Sequence, residues 1–262
     1  MIAFNEYLEQ FPQGESKINA LFLKSEILNR QKNWKEALVG YEEVANNSPN
    51  VFAERATQQA ARINYFEAKD YEKAAQYFGL LKKITGNSAI KLDAMRGLLR
   101  AQYQLKKWDD AEDNAASLLK DKAVTADDKM IAEMILGKLS QIRASYIEAI
   151  QHYRNVVALN KAVFAAEARY EIAACYWAQE DLKNTEKAAF ETINKSGSYD
   201  FWITKAYIIL GDVFFKQKDY FNAKATFQSI VNNSKNEDLK NEALAKLEMV
   251  ILEEKKTGKI DK

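Results

Sequence analysis

The sequence predicts an all-α fold of six stacked pairs of antiparallel helices. A large residue, aromatic in five of the six copies, recurs at intervals of 36 to 38 residues and is followed three positions later by alanine or threonine. A period of this length is typical of a solenoid, in which each unit buries its apolar face against the next. Nine glycines and two prolines are too few for a β or dinucleotide-binding fold of 262 residues. The recurring large residues, here called anchors, are Trp34, Tyr71, Trp108, Tyr146, Leu182 and Tyr220.

Each copy divides into two helical patterns joined by a short polar break. In the first copy, apolar residues recur at three- and four-residue steps from Lys17 to Arg30, stop over residues 31–33, and resume at Trp34. A short polar side chain before the anchor can accept a hydrogen bond from the first backbone N–H groups of the second helix. The residues suited to this N-cap role are Asn33, Asp70, Ser145, Asp181 and Asp219, whereas Lys107 is not.

Two further repeat positions describe how the helices pack; the residues that occupy one such position in all copies are called a column. The residue nine positions before the anchor is small in four copies, which lets the two helices of a pair approach closely. Arg62 and Leu99 break this rule, and we expect the neighbouring Ala61 to serve in place of Arg62. Seven residues after the anchor, four copies carry a large ring that we expect to fill the space between neighbouring pairs. These rings are Tyr41, Phe78, Tyr153 and Phe227.

The repeat register also predicts the domain organisation. Phe4 and Pro12 lie 37 residues before Tyr41 and Pro49, so residues 1–12 are interpreted as the second helix of a truncated preceding repeat. Residues 13–235 hold the six pairs, and residues 236–262 are interpreted as a capping helix with a charged tail. We therefore expect that the chain is a piece of a longer protein, in which any export signal lies upstream.

Charge and composition exclude several classes of function. With 38 basic and 37 acidic side chains the net charge is +1, so no overall field favours nucleic acid. No run of 18 apolar residues occurs, so we expect no membrane insertion of this segment. The single cysteine, Cys175, excludes an internal disulfide and leaves the cellular compartment open.

The columns together resemble tetratricopeptide repeats, over about residues 13–235 in six copies. The chain departs from that family in lacking the terminal proline in five copies and in having a period near 37 rather than the usual 34. The resemblance implies a right-handed superhelix, with the first helix of each pair on its inner wall, that binds proteins. The segment YLEQFPQGES, residues 7–16, is similar to helix ends in periplasmic lipoproteins of outer-membrane assembly and Tol–Pal coordination. This similarity favours the periplasm or cell envelope, with the cytoplasm as the alternative.

The sequence offers no converging set of catalytic groups. We therefore expect that the chain is not an enzyme and uses neither metal nor cofactor. Cys175 lies in a mostly apolar column and is predicted to be a buried structural thiol. His152 lies in a column with no fixed residue type and is interpreted as a bystander. The carboxylates of residues 109–113 and 127–128 are interpreted as solvated faces and helix-start charges.

The resemblance places a binding groove at the positions twelve, eight and five residues before the anchor. Rings at these positions are candidate contacts for a partner, because aromatic side chains carry much interface energy. Arg96, Arg100 and Lys138 are expected to form a positively charged binding site for a carboxylate or an acidic segment. Two alternatives stay open: the rings are core residues, or the arginines pair with Asp93 or Glu133. The predicted ring contacts are Tyr103, Tyr170, Trp177 and Phe215.

These observations predict a non-catalytic scaffold that captures an extended peptide or a partner helix along the groove. The alternative is an architectural spacer or self-assembly region of a longer cell-envelope protein, without a dedicated groove ligand. In that case a homo-oligomer is expected. The identity of the partner does not follow from the sequence.

Overall fold

The computed structural model describes residues 1–159 and 162–260. These residues form fourteen α-helices and no strand, so the predicted all-α fold class is confirmed. A short π-helical turn, Asn64–Ala68, continues α4. The helices are α1 (Ile2–Gln10), α2 (Lys17–Arg30), α3 (Trp34–Asn46), α4 (Ala53–Ile63), α5 (Tyr71–Ile84), α6 (Ser88–Gln104), α7 (Trp108–Leu119), α8 (Ala126–Ile142), α9 (Tyr146–Ala158), α10 (Ala162–Ala178), α11 (Leu182–Lys195), α12 (Asp200–Lys216), α13 (Tyr220–Asn233) and α14 (Glu237–Ile260).

Every anchor is the first residue of a helix, namely α3, α5, α7, α9, α11 or α13. Only two or three residues connect it to the helix before, and so short a connection makes the two helices antiparallel neighbours. Helix α1 precedes the first pair and α14 follows the sixth. Their assignment to a truncated repeat and a cap stays a prediction, and residues 261–262 of the predicted tail lie outside the described residues.

The turn inside each pair has one conformation throughout. The residue two positions before the anchor has φ between 56° and 62° in all six copies, although none is glycine. In the first pair, the Lys32 N–H donates to the Asn29 carbonyl at 3.0 Å and the Asn33 N–H donates to the Leu28 carbonyl at 2.9 Å. This Schellman arrangement satisfies the last carbonyls of the first helix and fixes where the anchor starts the second. The left-handed residues are Lys32, Lys69, Lys106, Ala144, Glu180 and Lys218.

The predicted N-caps occupy the N-cap position. Asp70, Asp181 and Asp219 each accept a hydrogen bond from the backbone N–H three residues later, at 3.0 to 3.1 Å. Asn33 and Ser145 stand at the same position without a side-chain cap hydrogen bond. The prediction is therefore confirmed in full for the aspartates and in position only for the other two.

Glycines let rings of the second helix lie against the first helix of the same pair. A Cβ added at Gly137 would lie 2.7 Å from the Tyr153 ring, and one added at Gly211 would lie 2.6 Å from the Phe227 ring. Since real Cβ contacts are longer, a larger residue at either position would force the ring to move. The small residue nine positions before the anchor thus sets the distance between the two helices of these pairs. The Tyr153 and Phe227 rings both lie against the first helix of their own pair.

The second pair departs from the others. Ala61 is fully buried and Arg62 is exposed, so Ala61 takes the place of the small residue as expected. The Phe78 ring lies where a Cβ of Gly97 would project, and so packs against the next pair. The π turn Asn64–Ala68 then adds a residue to the helical turn, and such turns are frequent at functional sites.

The chain divides into two compact units, unit 1 (Met1–Ala132) and unit 2 (Glu133–Lys262). Each has its own core: Tyr41 and Tyr77 are buried in unit 1, and Phe227 and Leu247 are buried in unit 2. Within the described residues, no helix has the length and apolarity needed to cross a membrane.

Candidate functional site

The predicted groove positions define a surface that we call the first-helix face: the residues twelve, eight and five positions before each anchor. Half of the residues at the first of these positions belong to the core. Phe22, Met134 and Ile208 are all buried. Phe22 stacks on Phe52, at the start of the next pair, with ring centroids 4.6 Å apart. These three side chains hold the fold together and are not available to a ligand.

The ionisable residues eight positions before the anchor form ion pairs with the first helix of the following pair. Glu26 pairs with Arg55 in unit 1. In unit 2, Asp212 accepts hydrogen bonds from Lys246, at 2.8 Å to each oxygen. Burial raises the pKa of Asp212, and the Lys246 charge opposes that rise. This column therefore links successive first helices within each unit.

Arg96 and Arg100 both bind the carboxylate of Asp128, whose side chain is only 1% exposed. The distances are 2.7 Å from Arg96 Nε and 2.8 Å from Arg100 Nη2. Arg96 also donates to Asp93 at 3.0 Å and to a backbone carbonyl before α8 at 2.7 Å, so the predicted pairing with Asp93 is confirmed. Burial tends to raise the pKa of Asp128, but hydrogen bonds from Thr125 and the two arginines bring it below its ordinary value. Arg96 thus links the start of α8 to α6.

Lys138 is also occupied by carboxylates. Its Nζ lies 2.6 Å from Glu171 and 3.1 Å from Glu167, both on the next first helix, α10. Burial tends to lower the pKa of Lys138, and the two carboxylates outweigh that effect and raise it. Lys138 is therefore a positively charged link between α8 and α10 within unit 2.

The predicted ring contacts are half-buried, and two of them lie on the anchor of their own pair. The rings of Tyr103 and Trp108 are 5.7 Å apart, and those of Phe215 and Tyr220 are 6.1 Å apart. The turn geometry brings them together, because a residue five positions before the anchor closes the same turn. One edge of each ring supports the turn, and the ring is otherwise partly exposed.

Tyr170 and Trp177 carry lysine ammonium groups over their rings. Lys205 Nζ lies 4.6 Å from the Tyr170 ring centroid, and Lys216 Nζ lies 5.6 Å from that of Trp177. Tyr170 also packs on Trp202, with centroids 5.5 Å apart. Burial, reinforced by nearby carboxylates, raises the pKa of Tyr170, so its hydroxyl stays protonated. These rings form aromatic and cationic surface in unit 2.

A cleft on the first-helix face of unit 1 lies beside the π turn and has a volume of about 200 Å³. Tyr65, not Phe66, packs on the Tyr71 anchor there, because the π turn shifts the helix by one residue. Phe66 is consequently 53% exposed. Arg62 lines the same cleft and forms no ion pair with any residue that the structure describes. Phe66 lies five residues before its anchor, at a predicted groove position. The sequence pattern did not single out Arg62 for binding, because a π turn leaves no reliable mark in the spacing of apolar residues.

His152 and Cys175 are accounted for by their surroundings. His152 Nδ1 lies 2.7 Å from Glu133 Oε2, a partner that the sequence did not identify. Cys175 is fully buried, as predicted, and burial raises the pKa of its thiol to about 12, which disfavours the reactive thiolate. Among the described residues, no group of three or more His, Cys, Asp or Glu side chains could hold a metal ion.

A sequence model of the tetratricopeptide repeat family matches residues 205–236. These residues cover most of α12 and all of α13, the sixth of the pairs that share one period and one turn conformation. The sixth pair is therefore a tetratricopeptide repeat, and the other five pairs share its period and its turn conformation. No curated protein matches the chain.

Solved structures of tetratricopeptide-repeat proteins share the fold. A signal-transduction ATPase of Pyrococcus horikoshii with a tetratricopeptide repeat sensor has a TM-score of 0.60 and 12% identity, over 91% of this chain and 44% of that one. Yeast Tom70 has a TM-score of 0.54 and 12% identity, over 97% and 58%. YrrB, described as having an unusual peptide-binding site, has a TM-score of 0.53 and 15% identity, over 77% and 96%. At these identities the likeness establishes the fold of the repeats alone, and the cell-envelope location stays a prediction.

Proposed function

We propose that this tetratricopeptide-repeat chain is a non-catalytic scaffold that binds an extended peptide or a partner helix on its first-helix face. The observation that carries the proposal is the cleft beside the π turn, in which an exposed ring, Phe66, stands next to Arg62, a cation without an ion-pair partner in the described part of the chain. An aromatic side chain supplies contact area at low entropic cost, and an arginine can bind a carboxylate with two hydrogen bonds. YrrB offers a precedent for peptide binding by this fold.

The predicted cations contribute unequally to such a site. Arg96 has all its nitrogens engaged within the protein, and the Lys138 ammonium is held by two carboxylates. Arg100 uses one nitrogen for Asp128 and keeps donors for a ligand. Acidic groups of the partner would therefore be bound by Arg62 and Arg100. Tyr103 in unit 1, and Tyr170, Trp177 and Phe215 in unit 2, remain the proposed apolar contacts.

A peptide library selected on the purified chain tests the proposal. The highest-affinity peptide is then titrated against Phe66→Ala and Arg62→Gln, and we expect each to weaken binding by about tenfold or more. Both side chains are exposed, so the melting temperature should not change. Phe221→Ala is the matched control, since Phe221 is 77% exposed but lies in α13. Selection of no peptide, or equal binding to Phe66→Ala and wild type, contradicts the proposal.

A second candidate, self-assembly of the repeats, rests on two exposed apolar residues of unit 2. Ile147 and Phe221 each follow an anchor directly and are 82% and 77% exposed. Exposed large apolar groups at one repeat position favour contact with another copy. Sedimentation at several concentrations tests this, because an assembly through these residues should dissociate in Ile147→Ser and Phe221→Ser. A monomer at every concentration rejects self-assembly.

A further inference from the structure

Unit 2 has a cationic cleft away from the first-helix face. It has a volume of about 260 Å³ and lies between α9, α10 and α11. One cation comes from each helix: Arg154 from α9, Arg169 from α10 and Lys187 from α11. Of the described residues that line it, only Glu191 is acidic, and its carboxylate accepts a hydrogen bond from Lys195 at 2.9 Å.

None of the three cations forms an ion pair with a described residue. The Arg154 guanidinium donates to the Tyr176 hydroxyl oxygen at 3.1 Å, and that of Arg169 donates to the Lys195 carbonyl at 3.1 Å. Arg169 Nε is buried and has no hydrogen-bond partner among the described residues. Arg96, Arg100 and Lys138 all bind carboxylates, so this cleft differs from the cationic sites that the sequence predicted.

The buried Arg169 Nε is a donor without a described partner, which is unfavourable until an acceptor binds it. The exposed cations Arg154 and Lys187 beside it would attract an anionic acceptor. We propose that this cleft binds a phosphate group. A single carboxylate carries one charge and is satisfied by one arginine. A phosphate group carries close to two charges and three acceptor oxygens, which suits donors arriving from three helices.

This inference is independent of peptide binding on the first-helix face. Arg169 and Tyr176 lie on the stripe of α10 that faces α9 and α11. Tyr170 and Trp177 lie on a neighbouring stripe, one residue and so about 100° further around the helix. A ligand in the cleft therefore leaves those rings accessible.

Titration of the labelled chain with sodium phosphate, followed by amide NMR shifts, tests the proposal. Sodium chloride and sodium acetate at the same ionic strength are the reference titrations. We expect saturable shifts within residues 154–191 for phosphate alone. The absence of saturable shifts there, or equal affinity for acetate, overturns the proposal.

Two variants separate binding from folding. Arg154→Gln/Lys187→Gln changes two exposed side chains, and we expect it to weaken phosphate binding by about a hundredfold, a factor of ten for each lost charge. Arg55→Gln, in unit 1, is the charge-matched control and should bind phosphate like the wild type. Unchanged affinity in the double variant overturns the assignment.

The same titration with phosphoserine and with adenosine monophosphate distinguishes the source of the phosphate. Tighter binding of phosphoserine identifies a phosphorylated protein, and tighter binding of the nucleotide identifies a nucleotide. Equal affinity for both and for inorganic phosphate identifies the free anion. Each of these results supports a phosphate site.

Discussion

Arg96→Met tests whether the ion pair between Arg96 and Asp128 stabilises the contact between α6 and α8. The substitution keeps an unbranched apolar stem but removes the 2.7 Å bond to a carboxylate that is 1% exposed. Removing one partner of a buried ion pair costs about 3–5 kcal/mol. Arg100 and Thr125 keep three hydrogen bonds to Asp128, and Arg96 is itself partly exposed. We therefore expect a loss of about 2 kcal/mol, near half of that range.

Urea unfolding followed by far-UV circular dichroism measures this loss. The exposed pair of Lys107 and Glu72 is the control, and Lys107→Met should cost less than about 1 kcal/mol. Asp128→Asn completes a double-mutant cycle, which isolates the energy of the Arg96–Asp128 pair. A loss in Arg96→Met no larger than in Lys107→Met would refute the reasoning.

The pH dependence gives a second readout of the same contact. Because the pKa of Asp128 is lowered from 3.8 in the folded chain, its contribution to stability is present above that value. It is lost as the pH falls through the folded pKa. The difference in stability between wild type and Arg96→Met should therefore be largest near neutral pH and shrink in acid. A difference that does not change with pH would show that Arg96 acts through packing instead.

Three further predictions address the repeat fold. Gly211→Ala should destabilise the chain by about 1–3 kcal/mol, because the new Cβ overlaps the Phe227 ring. Gly79→Ala is the control: it has open space around it and should stabilise the chain by about 0.5–1 kcal/mol. Equal urea midpoints for the two variants would contradict this. Ala144→Gly should stabilise by about 0.5–1 kcal/mol, because its φ of 58° is costly for alanine, and a lower midpoint would count against turn strain. Cys175 should react with a thiol reagent only on unfolding, since burial raises its pKa to about 12; rapid labelling of the native chain would contradict its burial.

The repeat period was predictable because it depends on large, regular packing groups. Each anchor begins a helix, and three aspartates cap those helices as the sequence indicated. The uniform left-handed residue was not predictable, because Lys32 and Glu180 show no preference for positive φ. The short loop and the Schellman hydrogen bonds impose that conformation, and these depend on both helices together.

The candidate site was less predictable, since it depends on which side chains meet across successive pairs. When α6 is considered alone, Arg96 and Arg100 look like a binding site for an anionic ligand. Their main partner, however, is Asp128, which lies 28 to 32 residues further along the chain. Phe66 lies at one of the predicted groove positions, five residues before its anchor, but its exposure results from the π turn. Periodicity predicts which helix face a residue occupies. It does not predict the charge that the next pair places opposite.

The ion pairs suggest a rule for reading such charges in repeat proteins. The partners of Glu26, Arg100, Lys138 and Asp212 all lie 28 to 34 residues downstream, about one repeat later, and all have the opposite sign. A charged residue in this column that pairs with an oppositely charged residue one repeat later therefore links successive helices and contributes to the stability of the fold. Cations outside the column, such as Arg62 in unit 1 and Arg154 in unit 2, have no such partner among the described residues. Both proposed binding sites therefore include these cations, whose charge no described side chain of opposite sign neutralises.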